Sequence, residues 1–372
     1  MGSRYRDRSG YLLQLEIMST GISAVYRAAR LTAGIFFLVT YLCGCAMVVP
    51  QTEAMRQTRP AGLPDRIELA KVPFFPQKDY QCGPAALATA LADAGVKVTP
   101  DDLVGQVYLP ARHGSLQVEM LAAARRYGIV SYRLAPRFED MLREVAAGNP
   151  VTVLQDYGVW PVSLWHYAVV VGYDYQKGEL LLRSGEKPKL SIPFAVFEYT
   201  WKESEYWAMV TMPPDRIPVT ANESDYLAAI AAVEHAGNQR AARQAYTAFL
   251  ERWPDNLTAA IGLTNILYAM GELHETELVL RRTAGNHPES VAVLNNLAQT
   301  LSDQGHNDEA MTLIERAVAL GGPLAAAVQE TRLLILQRIS ASNVSSQPPP
   351  AKLRGLSLDL HLNKKSAANK LH

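Results

Sequence analysis

The stretch Gln77-Lys78-Asp79-Tyr80-Gln81-Cys82-Gly83-Pro84 runs directly into an alanine-rich segment, Ala85 to Ala94. It reads as the start of a helix with a thiol at its mouth. Pro84 is favourable just inside a helix start, because the amide it lacks would have no partner there. Ala85, Ala86, Leu87, Ala88, Ala90, Leu91 and Ala92 form helix readily, and Gly95 stops it. Cys82 is thus expected against the positive end of a helix dipole, an environment that lowers a thiol pKa from about 8.5 into roughly the 3.5–7.5 range. The plain alternative is a small buried apolar cysteine, as most free cysteines are.

A base for such a thiol stands in Ser163-Leu164-Trp165-His166-Tyr167-Ala168-Val169-Val170-Val171-Gly172-Tyr173. This short β-rich apolar run, bounded by Pro161 and Gly172, reads as a buried strand with His166 at its beginning. A helix-borne Cys facing a strand-borne His is the thiolate and imidazole pair of papain-like enzymes, in which the His takes the thiol proton and returns it to the leaving amine. The plain alternative for a His between Trp165 and Tyr167 is a core residue. Its order in the chain after Cys82 favours the base.

The region from about Val72 to Pro214 resembles the papain-like bacteriocin-processing cysteine peptidases, which cut leader peptides after a double glycine, and their stand-alone relatives. The resemblance rests on Gln77 to Leu87, on the Gly114-Ser115 to Tyr127-Gly128 segment as a helix, and on His166 to Tyr173. It implies an α+β papain-like cysteine peptidase domain, a peptide or protein substrate and no cofactor. In that family a Gln a few residues before the Cys donates its side-chain amide to the oxyanion, so Gln77 takes that role beside the Cys82 backbone N–H. Removing one such donor typically costs about 10²–10³ in rate.

One departure from the family pattern concerns the third catalytic group. The strand after the His usually ends in Asp-Pro or Asn-Pro, whose acid or amide orients the imidazole. Here Glu179-Leu180-Leu181-Leu182 ends in Arg183-Ser184-Gly185, and Ser184 stands where the Asp would be. A serine accepts the imidazole N–H as a neutral partner but does not stabilise an imidazolium as a carboxylate does. Either the triad is altered or another acid, Asp174, Glu186 or Asp156, fills in. His113 reads as a solvated turn residue. Trp160 and Trp165 read either as groove-lining or as core.

The other two cysteines, Cys43 and Cys45, belong to an export signal. Leu31 to Leu42 is a 12-residue apolar stretch preceded by Arg27 and Arg30, the pattern of a secretory signal peptide. Leu42-Cys43-Gly44-Cys45 resembles a bacterial lipobox with Cys45 as the lipidated residue, and Met18 would open a signal of ordinary length. Cys82 would then be the only thiol of the mature chain, unpaired in an oxidising compartment where an idle thiol is a liability. Ala46 after the lipidated position resembles lipoproteins of the outer membrane, facing the periplasm. The alternative is an inner-membrane signal anchor, since no charge occurs from Leu31 to Thr52. Either way the remainder lies outside the cytoplasm.

The C-terminal half shows a period. Gly237, Gly271 and Gly305 are 34 residues apart, Ala242, Thr276 and Ala310 keep the step, and so do Pro254 and Pro288. That is the tetratricopeptide period, two antiparallel helices per unit with Gly in the turn between them. About three units run from Ser224 to Leu320, with Pro323 to Arg338 as a capping helix; an unrelated helical bundle is the alternative. Such solenoids bind a peptide or partner protein in a concave groove. His235, His274, His287 and His306 lack the spacing of a helical metal site, so no metal is expected.

With 36 basic and 36 acidic residues mixed along the chain, no basic patch points to nucleic acid. The expected organisation is an N-terminal extension and signal peptide (1–45), a linker (46–66), the peptidase domain (67–214), a connector (213–222), an all-α tetratricopeptide-repeat solenoid (223–338) and a disordered tail (339–372). The expected function is that of an envelope-anchored cysteine peptidase whose repeats recruit a substrate or partner. Two alternatives stand beside it: an inactive pseudo-peptidase scaffold, and an amidase acting on cell-wall peptides.

Overall fold

The structure, a computed structural model, describes residues 48–77, 81–159 and 161–346. The export signal with Cys43 and Cys45, Trp160 and the tail from 347 lie outside the described residues. The chain divides into two compact units, up to Asn238 and from Gln239.

The first unit is built on an antiparallel sheet. Its strands are β1 (Arg66–Glu68), β4 (Val130–Arg133), β5 (Val151–Asp156), β6 (Trp165–Asp174), β7 (Glu179–Ser184), β8 (Lys187–Pro193) and β9 (Ala208–Met212). Their order is β4-β9-β5-β6-β7-β8, with β1 pairing the end of β6 that β5 leaves free. A separate two-stranded hairpin joins β2 (Tyr108–Leu109) to β3 (Gly114–Ser115). The strand expected to stop at Gly172 continues to Asp174, because a register shift between Val170 and Gly172 lets β6 carry on along β7.

The helices of this unit are α1 (Pro50–Gln57), α2 (Cys82–Asp93), α3 (Pro100–Val107), α4 (Gln117–Arg126), α5 (Phe138–Ala146), α6 (Phe194–Trp201) and α7 (Glu223–His235). Helix α2 begins at Cys82 itself, and Gly95 N–H to Ala92 O with Val96 N–H to Leu91 O closes its far end. Leu87, Ala88 and Leu91 of α2 are buried with Tyr167, Val169 and Val171 of β6, the odd-numbered face of that strand. The even-numbered face lies on the side of α5 and α6, where Phe138 packs against Phe194, Phe197 and Trp201. The helix expected from Gly114 starts instead at Gln117, because Gly114 and Ser115 pair as β3.

Two stretches read as connectors are held by buried carboxylates. Glu198 of α6 accepts the backbone N–H groups of Gln51 (2.9 Å) and Thr52 (2.6 Å), so residues 50–57 form a docked helix. A carboxylate there meets orphan donors and the positive end of α1. Glu144 of α5 likewise accepts from the Thr220 N–H (2.7 Å), the Thr220 hydroxyl (2.6 Å) and Asn149 (2.7 Å), which ties down the segment before α7. Tyr226 of α7 is fully buried and meets Tyr132 of β4 edge to face, at 5.7 Å. The first unit therefore includes α7, which the repeat period assigns to the solenoid.

The second unit contains α8 (Gln239–Arg252), α9 (Leu257–Ala269), α10 (Leu273–Asn286), α11 (Val291–Asp303), α12 (Asn307–Leu320) and α13 (Ala325–Ser346). The glycines of the 34-residue period follow α7, α9 and α11, each with positive φ: +85° at Gly237, +76° at Gly271 and +89° at Gly305. Each closes its helix with the same pair of bonds, for example His306 N–H to Leu301 O (2.9 Å) and Gly305 N–H to Ser302 O (3.0 Å). Val328 and Ile335 of α13 join the core made by Leu297, Leu301 and Ile314. That helix reaches Ser346, beyond the expected start of the tail. Among the described residues no helix is long and apolar enough to cross a membrane.

Candidate active site

Cys82 occupies the first position of α2, with Gln81 as the capping residue. Pro84 is the third helical residue, whose N–H would have no acceptor within the helix. Gly83 is required by a close approach: a Cβ there would lie 2.2 Å from Ser115 Oγ and 2.6 Å from Ser115 Cβ. The hairpin that carries Ser115 is thereby seated on the start of α2, and the Tyr167 hydroxyl donates to Ser115 O at 3.3 Å.

His166 enters from the second residue of β6. Its Nε2 lies 2.8 Å from Ser184 Oγ at the end of β7, which leaves Nδ1 as the ring nitrogen available to a thiol. Cys82 and His166 line one open cleft of about 930 Å³, together with Gln77, Ser115 and Tyr167. Volumes of this order hold ligands. The lining includes polar Arg112 and His113 and the exposed apolar side chains of Leu164 and Trp165.

Gln77 borders the cleft beside Cys82, and its backbone N–H is bonded to Gly185 O at 3.1 Å. Its side-chain Oε1 is buried and has no partner among the described residues. The three acids considered as orienting groups are engaged or placed elsewhere. Asp156 Oδ1 accepts the N–H groups of Gly158 (2.8 Å) and Leu164 (2.7 Å), pinning the loop between β5 and β6. Asp174 accepts from Lys177 N–H at 3.1 Å, and Glu186 is exposed on the β7–β8 turn.

The electrostatics of the site differ from the expectation drawn from the helix start. Burial pushes the Cys82 thiol up, against backbone N–H groups of Tyr167, Gly83 and Cys82 itself that favour the thiolate. Burial also lowers the His166 pKa from 6.5 to about 4. The end of a helix supplies a favourable field, but loss of water penalises the charged forms of both groups more. Both shifts favour the neutral forms, a thiol and an imidazole that line the same cleft.

Two further residues that motif reading does not single out adjoin His166, and a third, Thr200, lies behind them. Tyr157 stacks on the imidazole, ring centres 5.2 Å apart at 24°. Gln155 of β5 is the cross-strand partner of His166 and is fully buried. Its Oε1 accepts from the Tyr157 hydroxyl (3.1 Å), and its Nε2 donates to Thr200 Oγ1 of α6 (2.7 Å). The available signal was a lone amide closing the β-rich run Val151 to Leu154; only the β5–β6 register tells which residue it faces.

Residues 69–208 match the Peptidase_C39 like family, and residues 290–321 match a tetratricopeptide repeat. Among solved structures, the chain is similar to a C39-like peptidase from Bacillus anthracis, at 18% identity over 40% of this chain and 98% of that one, with a TM-score of 0.35. It is also similar to the peptidase domain of Streptococcus ComA, a bifunctional ABC transporter of a quorum-sensing pathway, at 18% identity over 38% and 98%, with a TM-score of 0.32. No curated protein matches the chain. The antiparallel α+β unit thus contains the segment that matches the Peptidase_C39 like family, and the second unit contains the segment that matches a tetratricopeptide repeat.

Proposed function

We propose that this protein is a cysteine peptidase in which Cys82 is the nucleophile and His166 the acid–base group. The observation that carries the reading is that both side chains line one cleft while His166 Nε2 is engaged by Ser184 at 2.8 Å. Starting from the neutral pair, His166 accepts the Cys82 proton as the sulfur attacks the peptide carbonyl carbon, forming a C–S bond and a tetrahedral oxyanion. The Gln77 side-chain amide and the Cys82 backbone N–H receive that oxyanion. Collapse breaks the C–N bond, with His166 returning its proton to the leaving amine, and water then hydrolyses the thioester with His166 acting as base.

The 34-residue repeats hold a substrate or partner protein, and Cys45 carries a lipid that places the enzyme on the periplasmic face of the outer membrane. An inner-membrane signal anchor is the other localisation. Both rest on the sequence patterns around Leu31–Cys45 and Gly237–Gly305.

The pseudo-peptidase reading is favoured by one observation: the His166 partner is a neutral serine, and burial disfavours both the thiolate and the imidazolium. A thiol-directed peptidyl probe separates the two. Labelling at neutral pH that vanishes in Cys82→Ala and slows about 10²-fold or more in His166→Ala supports the enzyme. Labelling no faster than that of a free thiol, and insensitive to His166→Ala, leaves only the scaffold.

A further inference from the structure

Helix α1 belongs to the folded body, and that limits how far the body stands from whatever holds Cys45. Its first turn is clamped from two sides. Glu198 of α6 accepts the N–H groups of Gln51 (2.9 Å) and Thr52 (2.6 Å). The Gln51 side chain in turn accepts the Phe138 N–H at the start of α5 (2.6 Å) and donates to Pro136 O (3.2 Å). Thr52 and Met55 are buried, and the Tyr175 hydroxyl donates to Met55 O at 2.8 Å. Peeling α1 away would strip the fully buried Glu198 of both donors, so the helix does not unwind to lengthen the tether.

Four residues, Ala46, Met47, Val48 and Val49, separate Cys45 from Pro50. Fully extended, the chain from Cys45 to Pro50 reaches about 17 Å. A unit of roughly 190 residues is about 40 Å across. The tether is thus shorter than half the body, and the surface around the start of α1 stays turned toward the anchor. A lipid on Cys45 and an apolar signal anchor ahead of Pro50 set the same limit.

We propose that the α5–α6 side of the first unit lies against a bilayer, with the sheet standing between the lipid and Cys82. Helix α1 packs beside α5 and α6, whereas α2, which Cys82 begins, covers the other face of the sheet. The exposed residues near α1 suit a lipid headgroup region. Val48, Val196 and Tyr199 are 67%, 39% and 45% exposed, and Lys202 Nζ lies 4.4 Å from the centre of the Tyr199 ring. Tyrosine settles at a membrane–water boundary, and a lysine beside it extends its ammonium to the headgroups. A polypeptide substrate then reaches Cys82 from the aqueous side.

The proposal rests on the envelope-anchoring reading and not on the peptidase reading. Full-length protein with Cys82→Ser is purified from membranes and reconstituted into phosphatidylethanolamine–phosphatidylglycerol vesicles that carry nitroxide-labelled headgroups. A fluorophore is attached through Tyr199→Cys on α6, through Val118→Cys on α4, whose Met120 and Ala124 pack with α2, or through Val162→Cys in the β5–β6 loop. Quenching should be several-fold stronger at position 199 than at position 118. Inserting about 30 Gly and Ser residues between Met47 and Val48 adds about 30 Å of r.m.s. reach and should shrink that difference.

Equal quenching at positions 199 and 118, or the strongest quenching at position 162, overturns the proposal and leaves the anchor in place. Protein that does not float with the vesicles overturns the anchor and the proposal together. Labelling of Cys82 in the unmodified protein judges the peptidase reading apart from both.

Discussion

The sheet unit and the repeat unit are put together by different kinds of contact. Along the 34-residue period, α7, α9 and α11 are each closed by a glycine within its own turn, and the three stops at Gly237, Gly271 and Gly305 use the same two backbone bonds. In the sheet unit, the groups that matter meet over long separations: Glu198 with Thr52, Gly83 with Ser115, His166 with Ser184. The first kind of structure repeats and is insensitive to what lies elsewhere. The second buries polar groups that are useful only if their distant partners arrive, which suits a reactive site and makes it costly to disturb.

The largest expected effect that sharpens this contrast is a pH dependence. Unfolded, His166 binds a proton near pH 6.5; folded, burial lowers its pKa to about 4. Between those values the unfolded chain holds more protons, so the contribution is absent as a penalty above pH 6.5 and grows as pH falls toward 4. Stability of the sheet unit should drop by up to about 3 kcal/mol across that window, and His166→Gln should flatten the curve. Urea midpoints at pH 7 and pH 4.5 measure it, and equal slopes for the two proteins would show His166 to be solvated.

Next in size is Gly83→Ala. The added methyl meets Ser115 Cβ at 2.6 Å, an atom fixed by the hairpin backbone, so one of the two segments has to shift. A cost of about 1–3 kcal/mol is expected, together with slower Cys82 labelling, because the displaced segment carries the nucleophile. Full labelling at an unchanged urea midpoint would mean that the hairpin is not seated on α2.

The smallest is Gly271→Ala in the repeats. Nothing lies within 4 Å of the position its Cβ would take, so the cost is that of a left-handed backbone alone, about 1–2 kcal/mol. Thermal unfolding should show that loss with Cys82 labelling unchanged. A loss as large as that of Gly83→Ala combined with altered labelling would erase the distinction between the two units.

Much of the site was legible because it depends on local rules. Cys82 at a helix start follows from Gly-Pro-Ala-Ala, and His166 at the head of β6 from an apolar run of β-branched residues after a tryptophan. The position of Ser184 at the end of β7 could be read in the same way. What was misjudged needed neighbours from far away in the chain. A dipole at the start of α2 argues for a low thiol pKa, but the water excluded by Tyr167, Ser115 and the sheet decides the opposite. Residues 50–57 look like a polar tether until Glu198 is found under their free amides.

By itself the sequence determined the helix stops, the 34-residue repeat, the apolar strands and the residue types offered to the cleft, since turn chemistry, periodicity and propensity act within a few residues. Tertiary structure alone decided which groups lose their water and which distant groups meet. Gln155 becomes a neighbour of His166 only through the pairing of β5 with β6, and the ionisation of Cys82 and His166 depends on how many distant side chains close over them.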